Sequence, residues 1–263
     1  MIGTSVALAQ RAAVPDASIH GFDPAPASRQ AAAARGVFDD MAESPQGAFD
    51  VAVVASPPTT VAAGVQACAA LADLVVDVGS VKAPIVDALA DDIPGNFVPS
   101  HPMRGSHLSG AAAASAELLA GGMALLTPLE NTQPEVVERA RSFWAQLGMR
   151  CEILTPAEHD AAVAFTSHAP HLLAWGYLAT GQASPATVGP GFLGFMRLAQ
   201  GDPALWADIL RSNRREVARL LASLESELAE VRMLLEDDVV DNAVDKLEAY
   251  ISARREEALR LVP

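Results

Sequence analysis

Basic residues and cysteines are both scarce in this chain. Eighteen Lys and Arg stand against 32 Asp and Glu, a formal net charge of −14, and no Lys/Arg cluster interrupts the pattern. That excludes the electrostatic footprint of a nucleic-acid or anionic-membrane partner. Much of the acidic excess falls in "LESELAEVRMLLEDDVVDNAVDKLEAY", which reads as a solvated helix face. The two cysteines, Cys68 and Cys151, lie far apart and suggest no disulfide framework, which fits a reducing cytoplasm. Long apolar runs are also missing. Hydrophobic residues make up 51% of the chain, yet none of the runs approaches the roughly 18 uninterrupted apolar residues of a spanning helix. The opening "MIGTSVALAQRAAV" has no basic n-region and is broken by Gln10 and Arg11, so it does not read as a signal peptide. The expectation is a cytoplasmic protein with neither a nucleic-acid nor a membrane partner.

The first part of the chain alternates short β-rich runs with alanine-rich helical stretches. "ASIHGFD", "FDVAVVAS", "LVVDVG", "NFVPSHPM" and "GGMALLTPL" read as strands. "PASRQAAAARG", "TTVAAGVQACAALA", "KAPIVDALADDI" and "EVVERARSFWAQLG" read as helices. That alternation predicts a parallel α/β sheet. Beyond Thr155-Pro156 the strands stop. "PAEHDAAVAFTSHAPHLLAWGYLATG" is helical, and after a Gly/Pro-rich break, "SPATVGPGFLGF", three more helical stretches follow. The prediction is a Rossmann-like α/β domain over residues 1–155 and an all-helical domain over 156–263.

In a doubly wound sheet, ligands bind outside the carboxyl ends of the strands. The strand ends here carry Asp23, Ser56-Pro57-Pro58 and Gly79-Ser80, so Asp23, Ser56, Pro57 and Ser80 become candidate cofactor contacts. Asp23 stands where a ribose-binding carboxylate belongs, and an acid there favours NAD by repelling a 2′-phosphate. A polar strand terminus would explain Asp23 equally well. The Gly-rich phosphate loop is missing: "MIGTSVALAQR" reads as the tail of G-x-G-x-x-G, with Gly3 as its third glycine. The expectation is a sheet lacking its first strand, through either a shortened chain or a damaged cofactor site.

The densest chemistry lies in "VPSHPMRGSHLSG", followed later by "SHAPHLLA" and "GFLGFMRLAQGDPALW". With "DVGSVK", these motifs occur in an order and spacing that resemble the prephenate/arogenate dehydrogenase family across essentially the whole chain. The resemblance implies a Rossmann-type domain joined to a helical dimerisation domain. It also implies oxidative decarboxylation of prephenate or arogenate with hydride transfer to NAD, in tyrosine biosynthesis, by a homodimer.

His101 matches the family's catalytic histidine, a base that titrates in the right range for a hydroxyl proton. Ser80 matches the serine between that histidine and the nicotinamide; alternatively it caps the helix that follows. Arg197 matches the substrate-carboxylate arginine, and its apolar neighbours predict a partly enclosed setting. His171 and His168 match substrate-side positions, with Trp206 beside them. Lys82 reads as a solvated first-turn residue. No metal is expected, because the two histidines find no third ligand at a persuasive spacing.

Three positions depart from the family pattern. His107 and Gly194 replace frequent acids, and Arg104 replaces a small or apolar residue, which would make the cleft more cationic. Two alternatives stay open: a catalytically silent dimeric relative without its phosphate loop, and a variant acting on an amino-substituted prephenate in a secondary pathway.

Overall fold

The computed structural model describes residues 1–90, 92–105, 110–182, 184, 186–236 and 240–261. It divides into two compact units, Met1–Glu216 and Val217–Pro263. The chain opens with α1 (Ile2–Ala13), then β1 (His20–Phe22), α2 (Pro26–Ala33) and β2 (Asp40–Ala42). Gly36, in the left-handed region at φ +66°, lies just past α2, a conformation glycine adopts without steric cost. Next come β3 (Phe49–Val54), α3 (Val61–Ala69), β4 (Ala72–Asp77), α4 (Ala83–Leu89) and β5 (Phe97–Val98). The α/β part closes with β6 (Ser100–Pro102), β7 (Met123–Leu126), α5 (Pro134–Gln146) and β8 (Arg150–Ile153).

β4 shows why this region folds as layers. Leu74, Val75, Val76 and Asp77 are all buried, as expected for a parallel strand covered on both faces. Successive side chains point to opposite sides. Leu74 and Val76 pack with Val6, Ala140 and Trp144, on the face covered by α1 and α5. Val75 packs with Val61, Val65, Ile85 and Leu89, on the face covered by α3 and α4.

The pairing departs from an all-parallel sheet in two ways. β6 runs antiparallel to β7, with His101 opposite Leu125, while β7 and β8 are parallel. The ladder is also divided: β1 pairs with β2, and β3, β4 and β5 form their own parallel set. No described strand lies hydrogen-bonded between β1 and β3, the place a doubly wound sheet gives its first strand. There the two parts meet through rings, Phe49 lying 5.5 Å from His20 and 5.8 Å from Phe22. β2 and β8 are strands the pattern did not announce. Both are short and carry exposed polar residues, Asp40, Arg150 and Glu152.

The rest of the first unit is helical: α6 (Pro156–Val163), a π turn over Ala164–His168, α7 (Ala169–Ala179), α8 (Pro190–Met196) and α9 (Pro203–Ser212). The π turn has a covalent cause. Pro170 has no N–H to donate to the carbonyl four residues back, so the ladder loosens just before it. α8 corrects the sequence reading, which treated "GPGFLGF" as part of a break; Pro190 stands in its first turn behind Gly189 as N-cap, a position proline favours.

α10 (Arg214–Glu236) crosses the boundary, and α11 (Val240–Leu261) completes the second unit. Within that unit Tyr250 and Arg254 both donate to Glu227. Leu228, Met233, Leu235, Ile251 and Leu259 of these two helices are exposed. None of the described helices is long and apolar enough to cross a membrane.

Candidate active site

β3 and β4 are paired with Val54 opposite Asp77, so Ser56 and the Gly79-Ser80 turn leave the sheet on the same edge. Asp77 organises that edge. Its Oδ1 accepts the Ser100 N–H at 2.9 Å, and its Oδ2 accepts the Gly79 N–H at 2.8 Å and Lys82 Nζ at 2.5 Å. Lys82 also donates to the Ser100 carbonyl at 2.6 Å. Both members of the pair are completely buried, which corrects the expectation of a solvated Lys82. The chain turns tightly over Gly79, where a Cβ would lie 2.8 Å from Asp77 Oδ2, and the ammonium returns to the carboxylate that precedes the turn. Burial pulls the Lys82 pKa down, and Asp77 opposes that pull.

Ser80 lies half-buried in this turn. It does not cap α4, whose N-cap is Lys82 without a side-chain cap bond from its own segment. The first amides of the helix, those of Lys82 and Ala83, instead donate to the two carboxylate oxygens of Asp160, at 2.8 and 2.9 Å. The cap therefore comes from α6, through a distant residue.

α6 is set by a capping box: Thr155 Oγ1 accepts the Glu158 N–H, and Glu158 Oε2 accepts the Thr155 N–H. This arrangement fixes where the first turn begins. The next two residues, His159 and Asp160, are buried. His101 Nδ1 meets His159 Nε2 at 2.9 Å, and His159 Nδ1 meets Asp160 Oδ1 at 2.7 Å. A chain of three side chains thus runs from β6 into α6. Sequence reasoning passed over its second and third members, although the T-x-x-E signature directly before them is legible in "TPAEHD".

His168, in the π turn, is buried, and its Nδ1 lies 3.1 Å from Asn213 Nδ2. Asn213 Nδ2 also donates to the Asp160 carbonyl at 2.8 Å. One turn on, His171 Nδ1 donates to the Ser167 carbonyl, and its ring stacks on Trp206 at 3.8 Å. Trp206 presents edges to His168 and Trp175. Burial is the largest influence on all three of these titrating rings. It drives His101 well below the usual imidazole value, helped by His159 and Lys82. It takes His168 to about 4, against the pull of Asp160, and it also lowers His171.

The structure thus brings His101, His168, His171 and Trp206 into one network and ties the Ser80 turn to it through Lys82 and Asp160. Arg197 is not part of that network. It lies at the start of a short 3₁₀ turn, Arg197–Gln200, and is exposed rather than enclosed. Its apolar neighbours Phe192, Phe195, Met196 and Leu198 are half-buried. Arg104 is exposed as well and donates to the Ala120 carbonyl. Gly194 is exposed in open space, and His107 lies outside the described residues.

The cofactor candidates follow the strand ends. A Cβ on Gly3 would lie 2.8 Å from Ala55 Cβ, the close helix-to-strand packing required of the third glycine in a dinucleotide fingerprint. Ser56 Oγ is buried without a hydrogen-bond partner among the described residues, and Pro57 beside it is exposed. Asp23 follows β1 and uses Oδ1 on the Ala25 N–H. An orphaned hydroxyl after β3, a tight glycine in α1 and a ribose-range acid after β1 fit a dinucleotide. Among the described residues no three His, Cys, Asp or Glu side chains converge as metal ligands.

Two family profiles match the chain. "Prephenate dehydrogenase, nucleotide-binding domain" covers residues 6–153, and "prephenate dehydrogenase, dimerization domain" covers residues 155–253. The cyclohexadienyl dehydrogenase of Zymomonas mobilis is 28% identical over 97% of this chain and 92% of its own. The prephenate dehydrogenase of Bacillus subtilis is 30% identical over 92% of this chain and 70% of its own. The crystal structure of Aquifex aeolicus prephenate dehydrogenase in complex with hydroxyphenyl propionate and NAD+ superposes with a TM-score of 0.84 at 26% identity. That match covers 97% of this chain and 94% of the Aquifex chain.

Proposed function

Because the chain belongs to the prephenate dehydrogenase family, we propose that it oxidatively decarboxylates prephenate with hydride transfer to NAD, as a cytoplasmic enzyme of tyrosine biosynthesis. The observation that carries this reading is the hydrogen-bonded run from His101 through His159 to Asp160. It leaves one nitrogen of a neutral histidine for a substrate hydroxyl.

The substrate bears a 4-hydroxyl and a ring carboxylate. Hydride leaves C4, the bond to the ring carboxylate breaks to release CO2, and its electron pair makes the ring aromatic. His101 Nε2 accepts the hydroxyl proton as positive charge develops, and that proton returns to the phenolic oxygen of the product. A lowered pKa keeps His101 unprotonated at neutral pH, the state a general base needs. When bound, NAD supplies the hydride acceptor. Asp23 would hold its ribose, Gly3, Ser56 and Pro57 would lie along the phosphates, and Ser80 would stand between His101 and the nicotinamide. Arg197 gives a carboxylate a charged fork that has no competing protein acceptor among the described residues. His171, His168 and Trp206 line the substrate's other side.

We read residues 1–155 as the dinucleotide-binding domain and 156–263 as the substrate and dimerisation domain of a homodimer. A silent relative is not favoured, since nothing in such a protein would keep a buried histidine–carboxylate run poised on an open ring nitrogen.

The test is NADH formation by the purified protein with prephenate and, separately, with arogenate. Turnover of prephenate with equimolar CO2 supports the reading. Turnover of arogenate alone would move the substrate to the amino compound. No turnover of either by a folded protein saturated with NAD would overturn it.

A further inference from the structure

Asp160 lies one residue beyond the histidine that touches His101, and its side chain and backbone take part in two separate hydrogen-bond routes. We propose that Asp160 is a positioning residue that fixes His101 as a proton acceptor and His168 as a proton donor toward the same substrate. The proposal rests on the reading that both histidines face that substrate.

The first route runs through the carboxylate. Each oxygen already accepts a backbone N–H from the start of α4, Oδ1 from Lys82 and Oδ2 from Ala83. Oδ1 also meets His159 Nδ1 at 2.7 Å. A carboxylate accepts and does not donate, so the His159 hydrogen stands on Nδ1. With one ring hydrogen committed to Nδ1, we place the His159 lone pair on Nε2, which is 2.9 Å from His101 Nδ1. His101 must donate there, and its own lone pair is left on Nε2. The tautomer of a histidine is set by the partner of its other nitrogen, and here two such steps follow from one carboxylate.

The second route runs through the backbone. The Asp160 carbonyl accepts from Asn213 Nδ2 at 2.8 Å. A carbonyl cannot donate, so the orientation of the Asn213 amide is decided by its partner rather than by choice. The second hydrogen on the same Nδ2 faces His168 Nδ1 at 3.1 Å. His168 accepts at Nδ1 and carries its hydrogen on Nε2. Two neutral rings of the same chemistry thus present opposite polarity. One suits the hydroxyl that gives up a proton, and the other suits a carboxylate or keto oxygen. A residue that merely capped α4 would impose neither state.

The routes can be separated because one uses the side chain and the other the backbone. In Asp160→Asn, the NH2 stands in place of Oδ1 and donates to His159, the amide oxygen keeps the Ala83 N–H, and the Lys82 N–H loses its acceptor. That reverses His159, and therefore His101, and leaves the carbonyl route to His168 intact. In Asn213→Ala, His168 loses its imposed state and His101 keeps its own.

The readout is a long-range proton–nitrogen NMR correlation on the histidine-labelled full chain without substrate. The wild-type protein should show a lone-pair nitrogen at Nε2 of His101 and at Nδ1 of His168. Asp160→Asn should exchange the two nitrogens of His159 and of His101 and leave His168 as in the wild type, with kcat lower by about 10²-fold or more. Asn213→Ala should alter His168 alone. A lone pair on Nδ1 of His101 in the wild-type protein would overturn the proposal, as would Asp160→Asn and Asn213→Ala spectra identical to wild type. If Asp160→Asn does not fold, the wild-type and Asn213→Ala spectra still decide. An inactive protein with the expected tautomers would overturn the proposed activity and leave this assignment standing.

Discussion

His101 commits one ring nitrogen to His159 and leaves the other without a protein partner among the described residues. Replacing the ring with an amide removes the base but keeps a polar side chain of modest size. His101→Asn should therefore lower kcat by about 10²–10⁴-fold and leave the NAD dissociation constant within error, measured by steady-state kinetics and calorimetry. The depressed pKa adds a pH signature. Activity requires the unprotonated ring, so kcat/KM should hold steady down through the usual imidazole value of about 6.5 and fall only below it. Stability follows the same sign. As pH drops below 6.5 the unfolded chain takes up protons that buried His168, at about 4, refuses, so stability is lost as pH falls from 6.5 toward 4. The loss from His168 is on the order of 3 kcal/mol, read from urea midpoints at pH 7 and near pH 4.5. At this scale His101, His168, His171 and Trp206 were legible, because their motifs are dense and occur in order. Lys82 and His159 were not. A lysine after a turn usually points to water, and only the long-range return to Asp77 buries this one. His159 acquires its meaning from a partner on another element.

The elements that aim these side chains are short and depend on their ends. Thr155→Ala removes half of the capping box that starts α6 and should cost about 1 kcal/mol. It should also lower kcat, because His159 and Asp160 lie in the turn that the box sets. Lys82→Met leaves Asp77 buried without its cation and should cost about 3–5 kcal/mol. Adding Asp77→Asn to it should recover much of that loss in a double-mutant cycle. Strands with continuous apolar runs, such as β4, were readable from composition. β2 and β8 were not, since three or four mixed residues become strands only when a neighbour offers a ladder. The antiparallel turn of β6 onto β7 is a tertiary choice that alternation cannot encode, and α8 was hidden by Gly191 and Gly194, residues of low helix propensity.

The whole molecule carries a −14 charge, which favours solubility, and an apolar surplus that this charge does not hide. Tyr177, Leu193, Leu228, Met233, Ile251 and Leu259 are exposed in the single chain, an amount of large apolar surface that a second copy would cover. The protein should be a dimer by light scattering at micromolar concentration, and a monomeric mass there would refute the dimer. The two-part organisation was legible from where the strands stop. The division at Glu216 was not, because α10 runs through it without a break in pattern. The central claim is that His101 serves an NAD-linked oxidative decarboxylation, and one measurement addresses it directly. Single-turnover NADH formation from prephenate, followed in the wild-type protein and in His101→Asn with both saturated in NAD, should show stoichiometric NADH from the first. The second should be slower by at least about 10²-fold. Equal rates in the two proteins, or no NADH from a folded wild-type dimer, would contradict the account.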